Sequence, residues 1–160
     1  MIQRVGFGFD VHRFAEGRPL MLGGVEIPFP RGLAGHSDAD VLLHAICDAM
    51  LGAMGEGDIG QLFPNHDPEY KDIPSLLLLK EVARVAAERK WRMINIDSTV
   101  VAEAPKIASH RMEMESTIAQ TLGMTGGVSV KATTTEGLGF TGRGEGMAAY
   151  AVVLMEKEDS

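Results

Sequence analysis

The sequence predicts an α/β or α+β domain, a sheet with helices packed on one face. Two observations carry this. Strand-like and helix-like stretches alternate along the chain, and their apolar residues recur at period two in the first and at helical spacing in the second. At 160 residues the chain is expected to form one domain over 1–160, long enough to bury a core.

Val5, Phe7 and Phe9 alternate with Gly6, Gly8 and Asp10, a strand pattern. Continuing the alternation puts Asp10 and His12 on one side at the strand's end. Such a pair fits chelation of one ion, or simply two polar residues leaving a strand. Leu20 to Leu22, Gly23-Gly24, then Val25, Ile27 and Phe29 read as a hairpin with a two-residue turn, and Pro28 and Pro30 mark it as an edge. The stretch Gly35 to Ala45, GHSDADVLLHA, is chosen for chemistry more than for packing. Ser37 and Asp40 form an S-x-x-D capping box, so a helix is expected from Ser37 to about Gly55. Four-residue spacing stacks Asp40, His44 and Asp48 on one face, and His36 and Ser37 stand at a helix start that favours an anion. The stretch alone fits a capped helix with a structural histidine as well as it fits a metal-assisted phosphate site.

The segment GEGDIGQLFPNHDPEY is rich in Gly, Pro, Asp and Asn and reads as a long loop able to bind something, with His66 a solvated member of it. Ser75 opens a second helix to Arg89 whose leucines are core. Ile94 to Val101 is a strand, Glu103-Ala104-Pro105-Lys106 ends it, and a third helix reaches Leu122. Val128 to Ala132 is a short strand leading into Thr133-Thr134-Thr135-Glu136 and GLGFTGRGEG. That glycine-rich loop lacks a GK[ST] end and runs into a strand, so it is not a P-loop; Arg143 and two carboxylates beside its glycines point to close backbone approach. Met147 to Met155 is a buried final strand.

Composition narrows the function. The net charge of −7 argues against broad nucleic-acid binding, while a phosphorylated small substrate stays open because bound cations reverse a local field. No apolar run reaches the length of a membrane span, and Met1 to Gly8 has neither a long apolar stretch nor more than one basic residue, so neither a membrane protein nor a secretory signal is expected. Cys47 stands alone, which suits a reducing, cytoplasmic setting and reads as a small core residue.

DVHRF, GHSDADVLLHAICDA, GDIGQLFP, AEAPK and KATTTEGLGFTGRGEG together resemble the 2-C-methyl-D-erythritol 2,4-cyclodiphosphate synthases of the non-mevalonate isoprenoid route, in the right order over almost the whole chain. The resemblance implies a homotrimer with active sites between subunits and a mixed sheet facing the trimer centre, helices outside. It implies a zinc ion on Asp10, His12 and His44, and a magnesium or manganese ion on Glu136. The implied substrate is 4-diphosphocytidyl-2-C-methyl-D-erythritol 2-phosphate, released as the cyclic diphosphate and CMP, with His36 and Thr134 stabilising the transition state.

By the same resemblance Asp58 and Gly60 grip the ribose, and Ala102, Glu103, Ala104, Pro105, Lys106, Ile107 and Ala108 form the cytidine pocket. Further substrate contacts are implied for Asp10, His12, His36, Ser37, Ile59, Phe63, Pro64, Asn65, His66 and Asp67. Thr133, Thr134, Thr135, Glu136, Phe140 and Arg143 complete the set. The chain departs from many relatives at Asn65-His66, where they carry an acidic or small residue, and at Glu103, which replaces a commoner Gln in a loop expected to bind through its backbone.

Two histidines and one aspartate leave a fourth zinc position open, as working zinc sites do. A phosphate whose second pKa is about 6 is largely ionised at neutral pH and serves as its own nucleophile, which accounts for the missing Ser-His or Cys-His arrangement. Three rivals share parts of this pattern. A zinc phosphodiesterase would use water on the same ligands, a zinc-stabilised oligomeric binding protein would turn nothing over, and a cytidine-nucleotide binding module would need AEAPK but not Asp10, His12 or His44.

Overall fold

A computed structural model describes residues 1–64 and 66–159. Strand β1 (Ile2–Ala15) has the predicted alternation, and its glycine side is the one that faces inward: Gly6 and Gly8 are buried, while Val5, Phe7 and Phe9 are exposed. Strands β2 (Leu20–Leu22) and β3 (Val25–Ile27) form the expected hairpin as a two-stranded sheet of their own. Gly23 and Gly24 at φ 60° and 76° supply the left-handed pair that such a two-residue turn requires. The short β4 (Gly32–Leu33) returns to pair with the end of β1.

Helix α1 (Val41–Met54) ends at Gly55, as expected, but starts later than the capping-box reading places it. Asp40, not Ser37, is the N-cap: its carboxylate accepts from Leu43 N at 3.0 Å and from Gly23 N and Gly24 N of the hairpin turn at 2.9 and 2.8 Å. A carboxylate with three backbone donors outcompetes a serine hydroxyl for the cap. Asp40 is therefore fully buried against the hairpin, and only His44 and Asp48 of the expected trio lie along the helix. Ser37 instead closes a local turn, its hydroxyl accepting from Ala39 N at 3.1 Å.

The loop after α1 carries a short helix α2 (Ile59–Leu62), capped by Asp58, and a 3₁₀ turn at Pro68–Tyr70. Then come α3 (Ser75–Glu88), β5 (Arg92–Val101), a 3₁₀ turn at Ala108–His110, α4 (Arg111–Thr121), β6 (Val128–Thr133), the one-turn α5 (Gly139–Gly142) and β7 (Gly146–Lys157). The main sheet has the order β4-β1-β7-β5-β6 and is mixed: β5 and β6 run parallel and the other pairs antiparallel.

Gly6, Gly8, Asp10 and His12 lie opposite Val153, Ala151, Ala149 and Met147 on one face of the sheet. Helix α1 packs on that row, and its own leucines, Ile46 and Met50 complete the core. The other face is apolar and open. Val5 and Phe7 are 68 % and 60 % exposed, and Phe9, Tyr150 and Val152 continue the patch. No helix among the described residues is long and apolar enough to cross a membrane.

Candidate metal centre and substrate cleft

Small residues set the geometry of the site. Because Gly8 brings no side chain, α1 lies directly on β1, and His44 on the helix reaches Asp10 and His12 on the strand. His12 Nε2 stands 2.9 Å from Asp10 Oδ2, His44 Nδ1 stands 3.1 Å from the same oxygen, and the two ring nitrogens are 3.1 Å apart. These three are the one group among the described residues whose ligand atoms could hold a metal ion.

The protons on the two rings decide what that convergence means. His12 Nδ1 faces the carbonyl of Ala34 at 2.9 Å, which can only accept, so that nitrogen carries a hydrogen and Nε2 carries a lone pair. His44 Nε2 faces the hydroxyls of Ser75 at 2.9 Å and Ser37 at 3.1 Å. With its hydrogen there, Nδ1 turns a second lone pair to the centre, where Asp10 adds a carboxylate oxygen. Three lone pairs within about 3 Å repel unless a cation lies among them. Nitrogen and carboxylate donors suit zinc. Without a cation, a hydrogen on either ring nitrogen relieves that repulsion by bonding Asp10; burial would raise the Asp10 carboxyl, but such hydrogen bonds and charge from His12 and His44 outweigh it and hold it at about 2. Asp10 is thus a carboxylate at any ordinary pH.

A cleft of about 210 Å³ opens beside the triad. His36, Ser37, Ile59, Gly60 and Phe63, all among the residues the sequence singles out, line it with the three ligands. His36 donates from Nε2 to the carbonyl of Asp67 at 3.1 Å, which leaves its Nδ1 free to accept. Asp58 caps α2 through Gln61 N, and Asp67 caps the 3₁₀ turn through Glu69 N, so both hold the loop that forms the cleft wall. Pro64 is half-buried and His66 exposed in that loop, and Asn65 lies outside the described residues.

The remaining expected residues lie elsewhere in the chain. None of residues 102–108 or 133–136 borders the cleft. Ile107 and Ala108 line a separate hollow with Arg111 and Lys131, Lys106 is exposed, and Phe140 borders a groove beside Arg13 and Glu145. Thr133 and Thr134 are exposed at the end of β6, Thr134 Oγ1 accepts from Glu136 N at 3.2 Å, and Arg143 pairs with Glu145 at 3.0 Å. Glu136 is not part of the histidine–aspartate cluster. Glu103 has a structural part that the sequence did not signal. Its side chain accepts from Thr135 N and Gly137 N, each at 3.2 Å, and joins the AEAPK loop to the TTTEG loop.

Three residues around the centre escaped the sequence reading. Arg18 holds the carbonyls of Gly35 and Ser37, and Asp38 and Ser75 stand behind His44. Asp38 sits inside the GHSDAD stretch and could have been singled out there; Arg18 and Ser75 had no signal beyond their places after β1 and at the start of α3.

A family model described as "YgbB family" matches residues 3–156. A curated protein of Syntrophomonas wolfei named 2-C-methyl-D-erythritol 2,4-cyclodiphosphate synthase is 64 % identical over 155 residues, which span 96 % of this chain and 99 % of that one. Among solved structures, the bifunctional IspDF of Campylobacter jejuni superposes with a TM-score of 0.94 at 47 % identity, over 99 % of this chain but only 43 % of that longer one. A CDP complex of Plasmodium falciparum IspF gives a TM-score of 0.85 at 32 % identity over 98 % and 97 % of the two chains. With the family model, the curated relative and both structures in agreement over nearly its full length, the chain belongs to the YgbB family of 2-C-methyl-D-erythritol 2,4-cyclodiphosphate synthases.

Proposed function

We infer that the chain converts 4-diphosphocytidyl-2-C-methyl-D-erythritol 2-phosphate to 2-C-methyl-D-erythritol 2,4-cyclodiphosphate and CMP. The observation that carries this reading is the convergence of three metal-ligand atoms from Asp10, His12 and His44 in the wall of the cleft lined by His36 and Ser37. In the reaction an oxygen of the 2-phosphate forms a bond to the β-phosphorus while the bond from that phosphorus to the α-phosphate oxygen breaks, and CMP leaves with the electron pair. The nucleophile is already an anion at neutral pH, so no side chain has to remove a proton.

The chain's residues then bind, orient and balance charge. Asp10, His12 and His44 would hold zinc, and Glu136, a hard oxygen ligand, would hold magnesium or manganese. When bound, these ions supply the positive charge that two approaching phosphates need. His36 and Thr134 stabilise the charge of the transition state. Asp58 and Gly60 grip the ribose, and Ala102 to Ala108, with Lys106, take the cytidine. Folding one substrate so that its two phosphorus groups meet in line supplies up to about 7–11 kcal/mol of barrier lowering. The buried side of the cleft limits water, whose attack would give an open-chain phosphate instead.

We further read the protein as a homotrimer, with each site shared by two neighbours. The apolar face of Val5, Phe7, Phe9, Tyr150 and Val152 supports a self-association surface of the kind a closed ring buries. The separation of the zinc-side cleft from residues 102–108 within one chain supports the sharing.

Phosphorus NMR of the purified protein with the diphosphocytidyl substrate tests the reaction. The cyclic diphosphate and CMP should form and chelation should stop them. An open-chain phosphate with oxygen-18 incorporated from labelled water would mean hydrolysis, and the phosphodiesterase reading would replace this one.

A further inference from the structure

We propose that Asp38 and Ser75 are positioning residues for the metal ligand His44: Ser75 relays the Asp38 carboxylate to His44 Nε2, which fixes Nδ1 as the coordinating atom. The proposal rests on the zinc reading above.

Counting hydrogens sets the direction of each bond in the relay. Ser75 is fully buried, and its hydroxyl lies within reach of the Asp38 carboxylate, His44 Nε2 at 2.9 Å and, more distantly, Ser37 Oγ at 3.5 Å. It has one hydrogen to donate. The ionised carboxylate is the nearest partner and only accepts, so the hydrogen goes to Asp38. The serine oxygen then accepts, and His44 must donate from Nε2. With the only Ser75 hydrogen on Asp38, the Ser75–His44 contact is a hydrogen bond in no other arrangement.

Asp38 is itself held in place. Oδ2 accepts from Ser75 N at 3.0 Å, Oδ1 accepts from Asp40 N at 3.1 Å, and the Asp38 backbone N–H donates to Ile73 O at 3.2 Å. The carboxylate therefore caps α3 from outside that helix, whose own preceding residue, Pro74, makes no side-chain cap. One group ties the start of α3 to the loop before α1 and aims the imidazole of α1. A charge-assisted bond at the far end of the relay strengthens the donation from His44 and raises the basicity of the metal-facing nitrogen.

Ser37 provides an internal comparison. Its hydroxyl is almost as close to His44 Nε2, at 3.1 Å, but it already accepts from Ala39 N and has no carboxylate bonded behind it. The relay thus assigns the positioning to Ser75 rather than to the nearer residue in sequence.

The test uses the full chain and zinc titrated against a chromophoric chelator. Ser75→Ala keeps the backbone N–H that Asp38 caps and removes only the hydroxyl. It should weaken zinc binding at least about tenfold, whereas Ser37→Ala should change it less than about threefold. Nitrogen-15 NMR of the zinc-loaded wild type should show His44 with a slowly exchanging hydrogen on Nε2, exposed to fast exchange in Ser75→Ala. Equal zinc affinity for Ser75→Ala and wild type, or equal losses in the two serine variants, overturns the relay while leaving the zinc site standing. A hydrogen on Nδ1 of His44 in the loaded wild type overturns it without need of any variant, so a Ser75→Ala protein that fails to fold leaves the question decidable. A wild type that takes up no zinc overturns the metal reading and this one together.

Discussion

Gly8 and Ala45 meet at a point where nothing but hydrogen fits: a Cβ on Gly8 would lie 1.8 Å from the carbonyl oxygen of Ala45. That approach seats α1 on β1 and brings His44, the residue before Ala45, to Asp10 and His12. Gly8→Ala should therefore push the helix away, destabilise the chain by about 3 kcal/mol or more, and weaken zinc binding with it. Gly52, on the exposed side of the same helix with nothing near its missing Cβ, is the control; Gly52→Ala should stabilise by about 0.5–1 kcal/mol. Thermal melts of the two variants check both signs, and a Gly8→Ala protein as stable as wild type would show that the close contact does not govern the packing.

The metal reading separates into two expectations. His44→Ala should lose zinc and activity but remain folded, since most of the core lies along the rest of α1. Glu136→Gln should lose activity and keep its zinc, because Glu136 stands outside the triad. Metal analysis of the two purified variants is the measurement. Full zinc occupancy in His44→Ala, or loss of zinc in Glu136→Gln, contradicts the assignment of ligands.

Glu103 ties two loops that the proposed function assigns to one nucleotide. Removing its carboxylate in Glu103→Ala takes the acceptor from Thr135 N and Gly137 N at once, so CDP affinity should fall about tenfold, in line with two lost hydrogen bonds of about 0.5–1.5 kcal/mol each. Glu103→Gln retains an acceptor oxygen and should stay within about threefold. Titration calorimetry with CDP distinguishes them; equal affinities in all three proteins would mean that the clamp has no part in binding.

What the sequence made legible was whatever local pattern or motif controls. The alternation of β1, the Gly23-Gly24 hairpin, the C-caps of α1 and α3 at Gly55 and Arg89, and the pairing of Asp10 with His12 are all local consequences of residue type and spacing. The start of α1 was not, because its cap is decided by the Gly23 and Gly24 donors some sixteen residues away. Asp38 and Ser75 were hidden for the same reason. A carboxylate and a hydroxyl 37 positions apart become neighbours only after α3 has folded back against the loop before α1. Period two identified β1 but not which of its faces is core; Gly6 and Gly8 turned out to face the helix because the aromatic side cannot admit a backbone so closely.

Asp48 gives a pH dependence with a definite sign. Burial raises its carboxyl above 3.8, the Ile59 N–H at 2.8 Å pulls it back, the charges of Asp10 and Asp58 raise it further, and His44 opposes them only in part. The folded chain therefore holds a proton that the unfolded chain releases at 3.8, so stability falls as pH rises from there through the raised value and stays reduced above it. Asp48→Asn keeps an oxygen for Ile59 and removes the charge. In zinc-free protein it should melt higher than wild type at pH 7, and the gain should vanish as the pH drops below 3.8. A variant no more stable than wild type at pH 7 rules out the buried charge as a cost.

Asp10, His12 and His44 border one cleft, and Ile107 and Ala108 border another. If the zinc side comes from one subunit and the cytidine side from its neighbour round a closed ring of three, two inactive proteins should complement each other. One is His44→Ala; the other carries Gly at Ala104, Pro105 and Lys106, which disables the cytidine loop. A given site works only when its zinc donor is the loop variant and its loop donor is the His44 variant, so random equal mixing makes about one site in four intact. Unfolded and refolded together, the pair should regain about one quarter of wild-type activity, and each refolded alone should regain none. Mixed trimers verified by mass spectrometry yet wholly inactive would mean that each site is built within one chain, and the apolar sheet face would then join subunits without joining their chemistry.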